Sequence, residues 1–279
     1  MSNAEPRFGR LITAMVTPFN DERELDLDRA QALATRLIEG GNDSLIINGT
    51  TGESPTVFYP QKIELFRAVV EAVGGKASVI ANVGDNCTAD TVNFAKDVAK
   101  LGVDGFMCVV PYYNKPPQEG MYQHFKTIAN AVELPIILYN IPGRCVVNME
   151  AETTLRLAND CENVIAVKEA SGKMDQIATI AAAAPEGFSV YSGDDSATYD
   201  IMRLGGAGVI STTGNVAPER MKELVTKCTE GKWDEAWAAH EALLPLMNGL
   251  FETSNPILVK KALKLVGFPV GGERLPLID

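Results

Sequence analysis

The chain has 279 residues, 46% of them hydrophobic, with 25 Lys and Arg against 36 Asp and Glu and a net charge of -11. That supply of apolar residues suits one large globular domain or two small ones, and the acidic balance excludes the basic face that a nucleic-acid binder offers to phosphates. No apolar stretch approaches the length of a membrane span, and the N-terminus lacks the charged-then-apolar pattern of a secretory signal. Met1-Ser2-Asn3-Ala4 resembles a cloning remnant and is set aside. Five cysteines, Cys87, Cys108, Cys145, Cys161 and Cys228, form no C-x-x-C pair and read as buried thiols of a cytoplasmic protein.

In chain order, Leu11 to Val16 reads as an apolar strand. Asp26 caps a helix whose Leu27, Ala30, Leu33, Ala34, Leu37 and Ile38 fall at helical spacing, and Gly40-Gly41 stops it. Leu45-Ile46-Ile47 is a second strand running into Asn48-Gly49-Thr50-Thr51-Gly52-Glu53-Ser54, and Pro60 suits the first turn of the next helix. Ser78 to Ala81 is the third strand, followed by a helix opening at Thr88. Gly105 to Val110 leads into Pro111-Tyr112-Tyr113-Asn114-Lys115-Pro116, and Pro135 to Tyr139 into Asn140-Ile141-Pro142-Gly143-Arg144. The sixth strand, Val164 to Val167, ends in Lys168-Glu169-Ala170-Ser171-Gly172. Phe188 to Tyr191 and Ala207 to Ile210 complete the series.

Eight short apolar strands, most separated by one helix, over about 200 residues predict a parallel sheet closed into a (β/α)8 barrel. An open doubly wound sheet is the structural alternative, but the G-x-G-x-x-G of a dinucleotide site is absent after the first strand. The barrel is expected over residues 5–216, with 217–279 as a C-terminal helical extension carrying Trp233, Trp237, Leu243, Leu244, Met247 and the run from Ala262 to Val266.

A lysine where a buried strand opens into a loop is either paired or used. A free lysine titrates near 10.4, so only about one in a few thousand is a neutral amine at pH 7. Burial lowers that pKa and makes a Schiff-base nucleophile; the alternative is a salt bridge to Glu169 or another carboxylate. Active sites of such barrels lie at the C-terminal strand ends. That places Thr50, Thr51, Tyr112, Tyr113, Tyr139, Arg144, Lys168, Gly193 and Ile210 around one mouth. Each alone has a structural explanation as a cap, a rim residue or a surface ion pair; together they suit carbonyl chemistry through an imine. His124 and His240 fall inside helices, away from the strand ends, and no zinc cluster or phosphate loop occurs. Asp194-Asp195 is the one pair positioned to hold a hard cation, and adjacent side chains rarely point the same way. No metal is expected.

Four stretches resemble successive motifs of the dihydrodipicolinate synthase family: Gly49-Thr50-Thr51-Gly52-Glu53, Tyr112 to Pro116, Tyr139 to Arg144, and Val167 to Gly172. The resemblance runs from about residue 8 to the end of the chain. It implies condensation of pyruvate with L-aspartate 4-semialdehyde in lysine and diaminopimelate biosynthesis, with no cofactor beyond a covalent Schiff base on Lys168. It further implies that Tyr139 exchanges protons with the intermediate through Thr50 and Tyr113, the latter reaching over from a neighbouring subunit of a homotetramer. Thr51, the Ile210 backbone and Gly193 would hold the pyruvate carboxylate, and Arg144 that of the semialdehyde. N-acetylneuraminate lyase and 2-keto-3-deoxygluconate aldolase share the barrel and the lysine and are the alternative. A keto-acid sensor that binds without catalysis is an alternative of another class.

Two departures from the family pattern stand out. Lysine-regulated relatives bind lysine through positions matching Ser54, Pro55, Tyr59, Lys62, Asn86, Asp90 and Tyr112. A lysine at position 62, where relatives carry His or Glu, would repel that ligand, so weak or absent feedback is expected. The chain also ends at Arg274-Leu275-Pro276-Leu277-Ile278-Asp279, where relatives continue into a further helix.

Overall fold

The computed structural model describes residues 5–279; the suggested remnant at residues 1–4 lies outside the described residues. Eight strands form the sheet: β1 (Leu11–Ala14), β2 (Ser44–Ile47), β3 (Ser78–Asn82), β4 (Gly105–Val109), β5 (Ile136–Asn140), β6 (Val164–Glu169), β7 (Ser189–Ser192) and β8 (Gly208–Ser211). All neighbours are parallel, and β8 pairs with β1 through Ile12 and Ile210, so the ring closes. The expected (β/α)8 barrel is therefore the observed fold, and the open sheet is excluded.

Among the described residues, eleven α-helices accompany the strands: α1 (Leu27–Glu39), α2 (Tyr59–Val73), α3 (Thr88–Val98), α4 (Gln118–Ala131), α5 (Pro142–Cys145), α6 (Ala151–Asp160), α7 (Met174–Ala183), α8 (Thr198–Arg203), α9 (Pro218–Thr229), α10 (Trp233–Gly249) and α11 (Ile257–Leu265). In α1 the sequence signals act as read. Asp26 accepts a hydrogen bond from the Arg29 N–H at 2.9 Å, Ala30, Leu33, Ala34 and Leu37 are buried, and the helix ends at Gly40. Truncating fully buried Leu33 to Ala should cost about 2–5 kcal/mol. The short α5 differs from expectation. No helix is read from the sequence after β5, yet Pro142 pre-sets a helical φ and one helical turn forms, closed by a Val146 N–H bond to the Pro142 carbonyl at 2.8 Å.

Strand alternation divides the core in two. Ile12, Ile46, Ile80, Met107, Ile137, Ala166, Tyr191 and Ile210 fill the barrel interior, while Leu45, Val79, Phe106, Leu138 and Val167 face outward under the helices. A third cluster joins Leu11 and Tyr199 to Met221, Leu224, Leu243 and Met247 beneath α9 and α10. Four of the five free cysteines are buried as expected; Cys87 is exposed because it sits at the solvent-facing start of α3. Among the described residues no helix is long and apolar enough to cross a membrane.

Candidate active site

Lys168 and Glu169 close β6, and successive strand residues point to opposite faces. Glu169 turns outward, where the side chains of Asn140 (3.1 Å) and Gln176 (3.1 Å) and the Ser171 N–H (2.9 Å) donate to its carboxylate. Lys168 turns into the barrel mouth. The salt bridge that the sequence allows between these neighbours is absent, and Lys168 makes no ion pair among the described residues. Its side chain is buried, with Nζ 4.3 Å from the centre of the Tyr139 ring. Burial pulls the amine down to about 8; Asp195 and Asp194 resist that shift, and the Arg144 charge adds to it. About one amine in ten is then neutral at pH 7, against one in a few thousand for a free lysine.

Tyr139 is the register partner of Lys168 on β5, so both side chains share the inward face. Burial raises the phenol above its ordinary range, while the Arg144 charge and the nearby Thr50 hydroxyl stabilise the phenolate. Gly193 follows β7, and its N–H donates to the Glu169 carbonyl at 2.8 Å. A Cβ there would stand 2.7 Å from Ala170 Cβ and 3.1 Å from Lys168 Cγ, so only glycine lets the β7 loop lie against the lysine stem. Ile210 is buried at the end of β8, on the interior face.

Thr51 lies buried in the loop after β2. Its Oγ1 accepts a hydrogen bond from Asn255 Nδ2 at 2.9 Å and lies 3.4 Å from Thr212 Oγ1. Neither partner was visible in the sequence, since Asn255 is 204 and Thr212 is 161 positions away and no local pattern marks them. Asp195, considered as a cation ligand, has both oxygens occupied. Ser211 Oγ donates at 2.5 Å, the Thr212 and Thr213 N–H groups at 2.9 and 2.8 Å, and Thr213 Oγ1 at 2.9 Å. It anchors the loop after β8. No group of three or more potential metal ligands occurs among the described residues.

Two expected site residues stand at the rim. Arg144 is exposed on α5, close enough for its charge to act on both Lys168 and Tyr139. Tyr113 is 89% exposed with φ 72°, and among the described residues no hydrogen bond joins it to Thr50 or Tyr139. Within one chain, then, the structure brings together Lys168, Tyr139, Thr50, Thr51, Gly193 and Ile210, but not Tyr113.

The positions expected to bind lysine gather elsewhere. Ser54, Tyr59, Lys62 and Asp90 line a cavity of about 240 Å³ together with Asp85 and Phe94. Lys62 Nζ donates to Ser54 Oγ at 3.3 Å and lies 5.6 Å from the Phe94 ring centre. Pro55 is exposed beside Ser54, and Asn86 Nδ2 donates to the Tyr112 carbonyl at 3.2 Å next to the cavity.

The model of the dihydrodipicolinate synthetase family matches residues 7–279. A 4-hydroxy-tetrahydrodipicolinate synthase of Moorella thermoacetica is 54% identical over 272 residues, spanning 98% of this chain and 93% of that protein. The Bacillus subtilis protein of the same name is 48% identical over 97% of this chain and 93% of its own length. The crystal structure of DHDPS from Cyanidioschyzon merolae with lysine bound superimposes with a TM-score of 0.97 at 46% identity, covering 99% of this chain and 94% of that one. On the family match, the near-complete coverage and the barrel geometry alike, the chain belongs to the dihydrodipicolinate synthetase family.

Proposed function

We propose that the protein is a 4-hydroxy-tetrahydrodipicolinate synthase that condenses pyruvate with L-aspartate 4-semialdehyde on Lys168. The neutral Nζ attacks the keto carbon of pyruvate, and the resulting carbinolamine loses water to give an iminium. A methyl proton is then lost, and the enamine carbon bonds to the aldehyde carbon of the semialdehyde while the aldehyde oxygen takes up a proton. The amine of the semialdehyde finally displaces Lys168 from the imine carbon, which closes the ring and frees the lysine. One water leaves in total, and the iminium nitrogen supplies the electron sink, so the reading calls for no separate cofactor.

Tyr139 is the proton donor and acceptor in this scheme. A phenol with a raised pKa needs a route for its proton, which Thr50 and the Tyr113 of a neighbouring subunit would extend toward water. The exposure of Tyr113 in the single chain supports an assembly, and we read it as a homotetramer; a relative is described as a monomeric dihydrodipicolinate synthase variant. Thr51, Gly193 and the Ile210 backbone hold the pyruvate carboxylate, and Arg144 at the rim meets that of the second substrate. Buried free thiols suit a cytoplasmic enzyme.

One observation carries the reading: a buried lysine that makes no ion pair rests on the ring of Tyr139. A coupled assay comparing aspartate semialdehyde with sugar aldehydes as acceptors for pyruvate tests it. Turnover confined to the semialdehyde is expected. Faster turnover of a sugar aldehyde would mark an aldolase, and no turnover with pyruvate bound would mark a sensor.

A further inference from the structure

We propose that Asn255, supplied by the C-terminal segment, is a positioning residue that sets the Thr51 hydroxyl as a hydrogen-bond donor toward the pyruvate carboxylate. The inference rests on the pyruvate reading given above. A hydroxyl carries one hydrogen and two lone pairs. Asn255 Nδ2 is 2.9 Å from Thr51 Oγ1 and both residues are buried, so one lone pair is filled by a donor that has no other hydrogen-bond partner among the described residues. An amide N–H cannot accept, so the Thr51 hydrogen must point elsewhere. The remaining protein neighbour is Thr212 Oγ1 at 3.4 Å, a weak and long contact. The hydrogen is therefore available to an anion entering the mouth.

The same segment grips the loop a second time. Lys260 pairs with Glu53 at 2.5 Å with both side chains almost fully buried, and the Arg274 N–H donates to the other Glu53 oxygen at 3.0 Å. Glu53 is in the left-handed region at φ 55°, a conformation that a non-glycine residue holds only when its surroundings fix it. The loop carrying Thr50 and Thr51 is thus held at Thr51 by Asn255 and at Glu53 by Lys260 and Arg274. The segment after the barrel, through Asn255 before α11, Lys260 within it and Arg274 beyond it, thereby holds the loop that carries Thr51.

Two substitutions of nearly equal size separate orientation from packing. Asn255→Leu removes the donor, and the pyruvate KM should rise about 5-fold with kcat nearly unchanged. Asn255→Asp converts the donor into an acceptor, drawing the Thr51 hydrogen away and adding a negative charge near the substrate carboxylate. Its pyruvate KM should rise about 30-fold or more, as expected when a charge-assisted hydrogen bond is lost. In a Thr51→Val background, Asn255→Leu should have no further effect on KM. A merely structural role predicts instead a lowered Tm, a loss in kcat for both variants, and additivity with Thr51→Val; either equal KM values for Leu and Asp or additivity would overturn the proposal. If Asn255→Asp does not fold, the cycle with Thr51→Val decides. Wild-type enzyme that fails to trap pyruvate on Lys168 would sink the underlying reading, whereas trapping with no KM response at position 255 would sink this inference alone.

Discussion

The Lys168 amine rests on the face of the Tyr139 ring, 4.3 Å from its centre, and makes no hydrogen bond to the tyrosine hydroxyl. The ring and the hydroxyl therefore serve different ends. The ring supports the lysine, and attracts its protonated form; the hydroxyl is left free for the proton exchange with Thr50 proposed above. Tyr139→Phe keeps the first and deletes the second. Turnover should fall about 10²–10⁴-fold, the usual range for a lost general acid–base group, while pyruvate still reacts with Lys168. Steady-state rates beside intact-mass analysis after reduction check this; parallel loss of both would contradict it.

The lowered pKa of Lys168 predicts a pH profile. The pyruvate kcat/KM should rise with pH and level off above about 8, where the free enzyme's amine becomes neutral. Stability carries the matching sign. The folded pKa lies below that of the unfolded chain, so the unfolded state binds more protons between about 8 and 10.5, and stability from this site rises with pH across that window. Below it the penalty is fully present, on the order of 3 kcal/mol for a shift of this size. Lys168→Met should abolish activity and raise the denaturation midpoint at pH 7, with the gain shrinking as pH approaches 10.5. An unchanged midpoint would mean that the amine is not buried at a cost.

Gly193 tests the packing of the nucleophile. An added methyl would meet Ala170 Cβ at 2.7 Å, the Glu169 carbonyl at 3.0 Å and Lys168 Cγ at 3.1 Å. Gly193→Ala should destabilise the protein by about 1–3 kcal/mol and displace the lysine stem, lowering kcat more than 10-fold. A variant with wild-type kcat would show that the lysine stem tolerates the shift.

We expect Lys62 to set the response to lysine. Its ammonium lines the 240 Å³ cavity beside Asp85 and Asp90, and burial lowers its pKa while Asp85 resists. A ligand bearing a second ammonium would be repelled there, so rates should hold at sub-millimolar lysine, and Lys62→Ala should strengthen inhibition about 10-fold. Calorimetry with free lysine checks both; tight binding to the wild type would show that the two aspartates outweigh Lys62.

How much of this could be read from the sequence depended on the range of the interaction. Strand alternation and helical spacing are local, so all eight strands and the residues ending them were legible, Lys168 and Tyr139 among them. Asp26 and Gly40 marked the ends of α1 for the same reason. Asn255 and Thr212 escaped notice because they reach Thr51 only after the ring closes and the C-terminal helices dock. That Asp195 anchors the strand end was not legible, because its four donors, from the end of β8 and the loop after it, are invisible one residue at a time. Val146, a β-branched residue at φ 67° just after Arg144, shows backbone strain that no composition rule foretells.

The most direct measurement is reduction with borohydride in the presence of pyruvate, followed by peptide mass mapping. A mass increase matching reductively bound pyruvate, located on Lys168 and lost in Lys168→Met, is the predicted result. Labelling at any other lysine, or none on Lys168 with active enzyme, would contradict the account.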